Sequence, residues 1–527
     1  MLDDTFLKER YKNLDYLIGD KSNLVTNEYL PEIIEFNGSK KGTELFTKHL
    51  YSGKFIVMAD VDFDGISSAY EIIQFIRLVK SNVGIDIKPC INNKKEHGIS
   101  NKAVQYFNNF NENYMVIIVD SSSNNIDLIK QIKHDVLVID HHDITVDESL
   151  LEGQTANGEY TVVNCMRHGN KLLSGKELEP DSRYSAGLVV LEFLRFVQYA
   201  VKSEFDFVIN NKLYQWAASS LFTDVIDTDT ARNLYYVNRT FSDRVYETNL
   251  ADIIYSCNTF HKTLTKSLIG FTIAPLFNKT IRAGKSTIAL DYAVNSPKKI
   301  NALKKYGDIQ KQLMQGIDKK ATEFVKYVSI DTGQSEIPSS YNGIAASTLE
   351  DYFRKTAIAY QVIDGVACGS FRGISPYVLY RDILHKLGYY AEGHSAAFGF
   401  KIPLNELDNA MKIVTSHESD EVKEYLTAGT LPFNKRGKYH IDNMKEFQQA
   451  GYIWKIGIIN SKISGGHGNL NIIVSLNDVV LTQEHEKYFE YDCLGIHCKA
   501  FDRLESPEVT MYIEFSDELT IYLRNKW

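Results

Sequence analysis

From Lys54 onward the chain alternates short, continuously apolar runs with stretches of helical periodicity. KFIVMA (54–59) predicts a strand, and SSAYEIIQFIRLVKS (67–81) places Ile72, Phe75, Ile76 and Val79 at the three-to-four spacing of one helix face. IDIKPCI (85–91) predicts a second strand and NKAVQYFNNF (101–110) a second helix, while MVIIV (115–119) and VLVI (136–139) are apolar throughout. Strands apolar on both faces, alternating with helices, predict a parallel sheet covered on both sides. In such a sheet, ligands collect beyond the carboxyl ends of the strands.

The rest of the chain changes character twice. Residues 1–50 read as a helical extension, and 183–335 as mostly helical, with RYSAGLVVLEFLRFVQYAV and LYQWAASSLFTDVID as the clearest segments. Ser296 to Tyr327 carries Lys298, Lys299, Lys304, Lys305, Lys311, Lys319 and Lys320 and reads as one long polar helix, more readily a solvated face than a nucleic-acid groove. A second mixed α/β unit is expected from 336 to about 420. Beyond it YIWKIGIIN, LNIIVSL and EVTMYIEF predict a β-rich tail. The fold class expected is therefore α/β. Its parts are a parallel-sheet domain over 51–295, a connecting helix over 296–335, a smaller α/β domain over 336–420 and a β-rich domain over 421–527.

Composition narrows the class. A chain of 527 residues exceeds one ordinary core, and 44% hydrophobic with 24% charged residues describes a globular protein. No apolar run approaches the ~20 residues of a membrane span, and MLDDTFLKERYKNLDYL is too charged for a signal peptide. Six scattered cysteines suggest no disulfide framework, so the expected compartment is the reducing cytoplasm. A net charge of −9 counts against a general nucleic-acid coating protein but not against an enzyme with a local basic groove.

The chemistry lies at the strand ends. MADVDFDG sets Asp60, Asp62 and Asp64 at alternate positions after the first strand, with Gly65 allowing the turn into a helix. VIIVDSSS ends a strand in Asp120, and VLVIDHHD ends another in Asp140, His141, His142 and Asp143. Any one such aspartate is explained as a cap for the following helix. Six acids and two histidines on one sheet edge are not, because crowded carboxylates repel and need protons or cations. Carboxylates with some imidazole suit Mn²⁺ or Mg²⁺. Two such ions, roughly 3.5–4 Å apart, form the usual clamp for displacement at phosphorus.

These motifs resemble the DHH phosphoesterase superfamily, and within it the RecJ-like exonucleases. ADVDFDG resembles the family's D-x-D-x-D-G, IVDSSS its V-D-x-x, VIDHHD its DHH signature and SSLFTDVID its A-D-V motif, with Asp224. TARNLYYVNRTF, INNKKEHGIS and TIAPLFNKTIRAGKS resemble further segments of the same domain. NGIAASTLEDYF, ACGSFRG and AEGHSAAFGF resemble the DHH-associated domain, with Glu392 and Phe398 where the family has Gly and Ala, departures that bear on the substrate pocket. The resemblance implies metal ligation by Asp62, Asp64, Asp120, His141 and Asp224, with Asp120 bridging two ions. It also implies orienting roles for Asp60 and Asp140 and a phosphate contact for His142. In the second domain it implies substrate binding by Ser370, Arg372, Gly393 and His394, with Arg372 and His394 stabilising the transition state.

The β-rich tail occupies the place of the OB-type domain of RecJ-like enzymes. There Tyr452, Trp454, Tyr488 and Phe489 are stacking candidates for a single strand. The resemblance thus favours 5′→3′ hydrolysis of single-stranded DNA over RNA, by a monomer, with a single-strand-binding protein or helicase as a further partner. The alternatives are an oligoribonuclease, a cyclic-dinucleotide phosphodiesterase, or a non-catalytic replication factor on the same core. Three other motifs are decoys: RAGKST lacks the first glycine of a phosphate loop, SGGHGNL reads as a hairpin, and the spacing of Cys493, His497 and Cys498 is not that of a zinc knuckle.

Overall fold

The computed structural model describes residues 31–80, 84–92, 97–202, 208–224, 226, 230–242, 248–257, 264, 268–295, 300–353, 355–374, 378–418, 471–515 and 519–525. Most of the expected N-terminal extension, Lys298, Lys299, Tyr452, Trp454 and SGGHGNL lie outside the described residues. The chain divides at Gly307 into two compact units.

In the first unit six strands form one sheet: β1 (Lys54–Ala59), β2 (Asp86–Ile91), β3 (Met115–Val119), β4 (Asp135–Asp140), β5 (Glu152–Gln154) and β6 (Glu159–Asn164), in the order β2-β1-β3-β4-β6-β5. All neighbours are parallel except the edge pair β5 and β6. The continuous apolar runs have the predicted cause. Phe55, Val57, Ile117, Val119, Leu137 and Ile139 enter one buried cluster, and the alternating Ile56, Met58, Val116, Ile118, Val136 and Val138 enter the other. The first cluster is shared with α1 (Ser39–Ser52), α2 (Phe63–Lys80), α4 (Ala186–Ala200) and α5 (Asn211–Thr223). The second includes Val104 and Phe107 of α3 (Asn101–Asn108). Helix α2 starts four residues earlier than its apolar periodicity predicts, because the acidic motif itself forms the first turn. The Gly65 N–H donates to Asp62 Oδ1 (3.1 Å), and the Ile66 N–H to the Asp62 carbonyl (3.1 Å).

The long polar helix expected over 296–335 is corrected. Helix α6 spans only Ile300–Met314, and Gly316 just beyond it takes the left-handed φ of 70° that ends helices. YVSID then forms a strand rather than a helix, because it pairs in parallel with the strand Thr356–Ile363. The second sheet contains β7 (Thr322–Glu323), β8 (Tyr327–Asp331), β9 (Thr356–Ile363), β10 (Val366–Arg372), β11 (Tyr390–His394) and β12 (Ala397–Pro403), in the order β7-β8-β9-β10-β12-β11. Helix α7 (Asn342–Phe353) packs Ala345, Ala346 and Leu349 into its core.

The tail forms a third six-stranded sheet: β13 (Asn471–Ser475), β14 (Val479–Glu484), β15 (Phe489–Cys493), β16 (Ile496–Ala500), β17 (Glu508–Phe515) and β18 (Leu519–Asn525), in the order β13-β17-β18-β16-β15-β14. Cys493 and Cys498 are fully buried on these strands while His497 faces solvent, so strand alternation separates the three residues weighed as zinc ligands. No helix among the described residues is long and apolar enough to cross a membrane.

Candidate metal centre

Three strand ends and one helix end deliver the acidic residues. Strand β1 lies between β2 and β3, so the chain leaves it in one direction and returns on its other side. The C-terminal ends of β1 and β3 therefore flank the point where strand order reverses. Asp60, Asp62 and Asp64 follow β1, Asp120 follows β3, and Asp140 is the last residue of β4. Asp224 closes α5, its N–H donating to the Ser220 carbonyl (3.2 Å).

The local geometry is tightly determined. Gly65 is required by a close approach: a Cβ there would lie 2.6 Å from the Asp60 backbone N and 2.7 Å from its O. Asp64, 1% exposed, accepts the N–H groups of Ala186 (2.8 Å) and Gly187 (2.8 Å) at the start of α4, where the helix dipole favours an anion. Asp120 takes a φ of 64°, a left-handed conformation uncommon outside glycine, and holds it through its N–H to the Ile139 carbonyl (2.9 Å). Left-handed backbone at a non-glycine residue costs about 1–3 kcal/mol and persists where the surroundings impose it.

Asp140 organises the histidine pair. Its Oδ1 accepts the N–H of His141 (2.7 Å), the N–H of His142 (3.2 Å) and His142 Nδ1 (2.8 Å), and its Oδ2 accepts the N–H of Ser123 (3.1 Å). Burial opposes its charge, but the two imidazoles and these donors outweigh that and hold the carboxyl well below the usual range. His142 is correspondingly raised, to about 10: burial acts against the charge, and the Asp140 carboxylate overcomes it.

His141 has its other constraint on the far side. Its Nδ1 donates to the Tyr184 carbonyl (2.9 Å), which fixes the tautomer, because a carbonyl only accepts. Nε2 then stands 3.3 Å from Asp120 Oδ1 and 3.2 Å from Asp224 Oδ2. Burial and the neighbouring His142 hold the His141 pKa down, so Nε2 presents a lone pair to two carboxylates. Burial and the facing aspartates in turn push Asp120 and Asp224 well above the ordinary carboxyl range, and burial raises Asp64 as well. Lone pairs and buried carboxylates that face one another repel unless a proton or a cation lies among them. Ligand atoms of Asp64, His141 and Asp224 lie within 4.8 Å of one another, as do those of Asp120, His141 and His142. This donor set of oxygens with one or two imidazoles fits Mn²⁺ or Mg²⁺.

The eight residues expected at the first-domain site thus converge. Sequence reasoning missed two more. Tyr184 acts through its backbone carbonyl, which no side-chain pattern reveals. His97 places Nδ1 2.6 Å from Asp60 Oδ2 and joins Asp60 and Asp62 in a third group of ligand atoms within 4.8 Å. Its signal was available, since it follows β2 at the same sheet edge as the three aspartates.

In the second unit, Arg372 of β10 pairs in register with Ala397 of β12, which pairs with His394 of β11, so two of the four expected substrate-binding positions share one level of the sheet. The His394 side chain lies outside what is described. Arg372 Nε donates to Ser347 Oγ (3.1 Å), and Ser370 lies two residues before it on the same strand face. Gly393 adopts a φ of 132°, where a Cβ would lie 2.9 Å from the Ala397 carbonyl. Phe398 does not line a substrate pocket: it is 3% exposed and stacks on Phe371 at 4.6 Å, filling the core, whereas Glu392 is exposed.

Residues 54–219 match the family described as DHH family, N-terminal domain. No curated protein matches the sequence. The structure is similar to that of RecJ in complex with Mn²⁺ from Thermus thermophilus, at a TM-score of 0.64 and 15% identity over 98% of this chain and 78% of that one. The complex of RecJ with Mg²⁺ from the same organism gives a TM-score of 0.58 at 14% identity, over 98% and 77%. An exonuclease RecJ bound to manganese gives 0.53 at 17% identity, over 74% of this chain and 97% of that one. At these identities the likeness is one of fold.

Proposed function

We propose that this chain, which carries a DHH-family phosphoesterase domain over 54–219 within a RecJ-like fold, is a metal-dependent nuclease that hydrolyses single-stranded DNA from the 5′ end. The observation that supports the metal dependence is the buried meeting of His141 Nε2 with Asp120 and Asp224, a crowding of donor atoms that a divalent cation relieves. Asp62, Asp64, Asp120, His141 and Asp224 are the proposed ligands, with Asp120 at the centre because it faces Asp64, Asp62 and Asp224. Two divalent ions, when bound there, supply a nucleophile at neutral pH and offset charge on the phosphoryl oxygens.

The chain's own residues then hold and orient. Asp140 fixes the His142 imidazole and the backbone of His141, leaving the half-exposed His142 as a cationic donor for a phosphate oxygen. Asp64 ties the acidic loop to the start of α4, so that the aspartates keep their mutual spacing. Arg372 is the proposed planar donor for a second phosphate contact, with Ser370, Gly393 and His394 around the substrate. The preference for a single DNA strand rests on the resemblance and on the β-rich C-terminal sheet. Tyr488 and Phe489 are the stacking candidates among its described residues.

The test is an assay of purified protein with Mn²⁺ on 5′- and 3′-labelled single strands, beside a dinucleotide RNA and diadenylate. Release of mononucleotides from the 5′ end is expected. Cleavage of only the RNA dinucleotide or diadenylate would move the reading to a small-substrate phosphodiesterase, and no cleavage of any substrate to a non-catalytic factor.

A further inference from the structure

Asp60 is expected to orient neighbours rather than bind metal, yet its surroundings differ from those of Asp140. Asp140 is filled by three backbone N–H groups and an imidazole. Asp60 accepts one backbone N–H, from Gly98 (3.1 Å), and meets the His97 ring on its other oxygen. Asp60 is 2% exposed and the His97 side chain 54% exposed, so the ring stands at the mouth of the centre with its ligand partner at the floor. Gly98 makes this placement possible. Its φ of 72° turns the chain back after β2, and the Ile99 N–H is anchored on Ser122 Oγ (3.0 Å), two residues past Asp120. The loop end that carries His97 is thereby stitched to both the β1 and the β3 strand ends.

We propose that His97 is an imidazole ligand of the metal centre, entering beside Asp60 and Asp62 and adding a donor to the set that the DHH resemblance implies. The assignment rests on the metal-dependent reading above and extends it to a residue and a selectivity. His141 serves the Asp64–Asp224 side of the centre, and His97 serves the Asp60–Asp62 side, so each half gains one nitrogen. An imidazole in place of a water or carboxylate oxygen raises affinity for Mn²⁺ more than for Mg²⁺, since nitrogen donors suit the transition metal and Mg²⁺ takes oxygen. His97 thus sets the metal preference of one of the two positions.

The experiment is equilibrium Mn²⁺ titration of the full chain, with free Mn²⁺ counted by electron paramagnetic resonance, on the wild type, His97→Ala and His97→Gln. Magnesium competition is run in parallel, and circular dichroism confirms that each variant folds. The expected result is two Mn²⁺ in the wild type, with one of them weakened about 10–100-fold in both variants and Mg²⁺ affinity changed far less. Pulsed measurement of ¹⁴N coupling should show one class of nitrogen lost. Two unchanged Mn²⁺ affinities with the nitrogen couplings intact would overturn the His97 assignment alone. A wild type that binds no Mn²⁺ would overturn the metal-dependent reading, and this assignment with it.

Discussion

His141 Nε2 lies 3.2 Å from Asp224 Oδ2, although the two stand far apart in the chain. The imidazole arrives on a strand end and the carboxylate on a helix end, and both offer donor atoms to a shared cation. Removing either member of such a centre should therefore act on metal binding first and on folding second.

Asp120→Ala should abolish turnover and remove the stabilisation that metal confers. At a hundredfold excess over the dissociation constant, a metal stabilises the folded state by about 2.7 kcal/mol. Thermal melts of the wild type should rise with added Mn²⁺ and fall back with chelator, whereas the variant should not respond. A variant that melts higher with Mn²⁺ by the same amount would remove Asp120 from the centre.

Asp140→Ala should destabilise the protein by about 1–3 kcal/mol, because it leaves buried backbone N–H donors without their acceptor, while the half-exposed His142 is solvated. Urea unfolding measures this directly. Asp140→Asn, which keeps one acceptor oxygen, should cost less stability while still lowering kcat, since the charge that raises His142 is lost. Equal kcat in Asp140→Asn and wild type would show that the charge is not needed.

Gly65→Ala should be damaging out of proportion to one methyl group. Its Cβ would press on the Asp60 backbone at 2.6 Å, so the acidic loop must move, at about 1–3 kcal/mol. Mn²⁺ affinity should fall with stability. A variant with normal melting and normal Mn²⁺ binding would contradict the geometry.

Away from the centre, Asp135 provides a pH signature. Burial opposes its charge, but His49 Nε2 (2.8 Å), Lys48 Nζ (2.8 Å) and the Glu159 N–H (2.9 Å) more than compensate and hold it well below the usual carboxyl range. A carboxyl with a depressed folded pKa contributes stability that is fully present above its unfolded value of about 3.9 and is lost as pH falls below it. Urea midpoints should therefore begin to drop below about pH 5 and go on dropping below about pH 3, and the drop should be shallower in Asp135→Asn. Parallel curves for the two proteins would exclude Asp135 as a source of the acid limb.

The inner strands β1, β3 and β4 of the first sheet were legible in the apolar runs alone. The apolar runs at 54–59, 115–119 and 136–139 appear as strands because burial on two faces permits no polar alternation, and each acidic tail falls where a parallel strand must end. What composition and period could not carry was anything that depends on a partner far along the chain. YVSID lies within a stretch that reads as helix until it finds Thr356–Ile363 beside it, and the short edge strand Glu152–Gln154 exists only through Tyr160 and its neighbours. Phe398 reads as a pocket residue by its motif and is a core residue by its stacking on Phe371. At the centre, the residue types that gather charge were legible one motif at a time, but their distances were not. The Tyr184 carbonyl that fixes the His141 tautomer and the turn that brings His97 onto Asp60 are products of tertiary contact. A hydrogen bond needs its two groups within about 3 Å, and sequence spacing says nothing of that distance until the chain has folded.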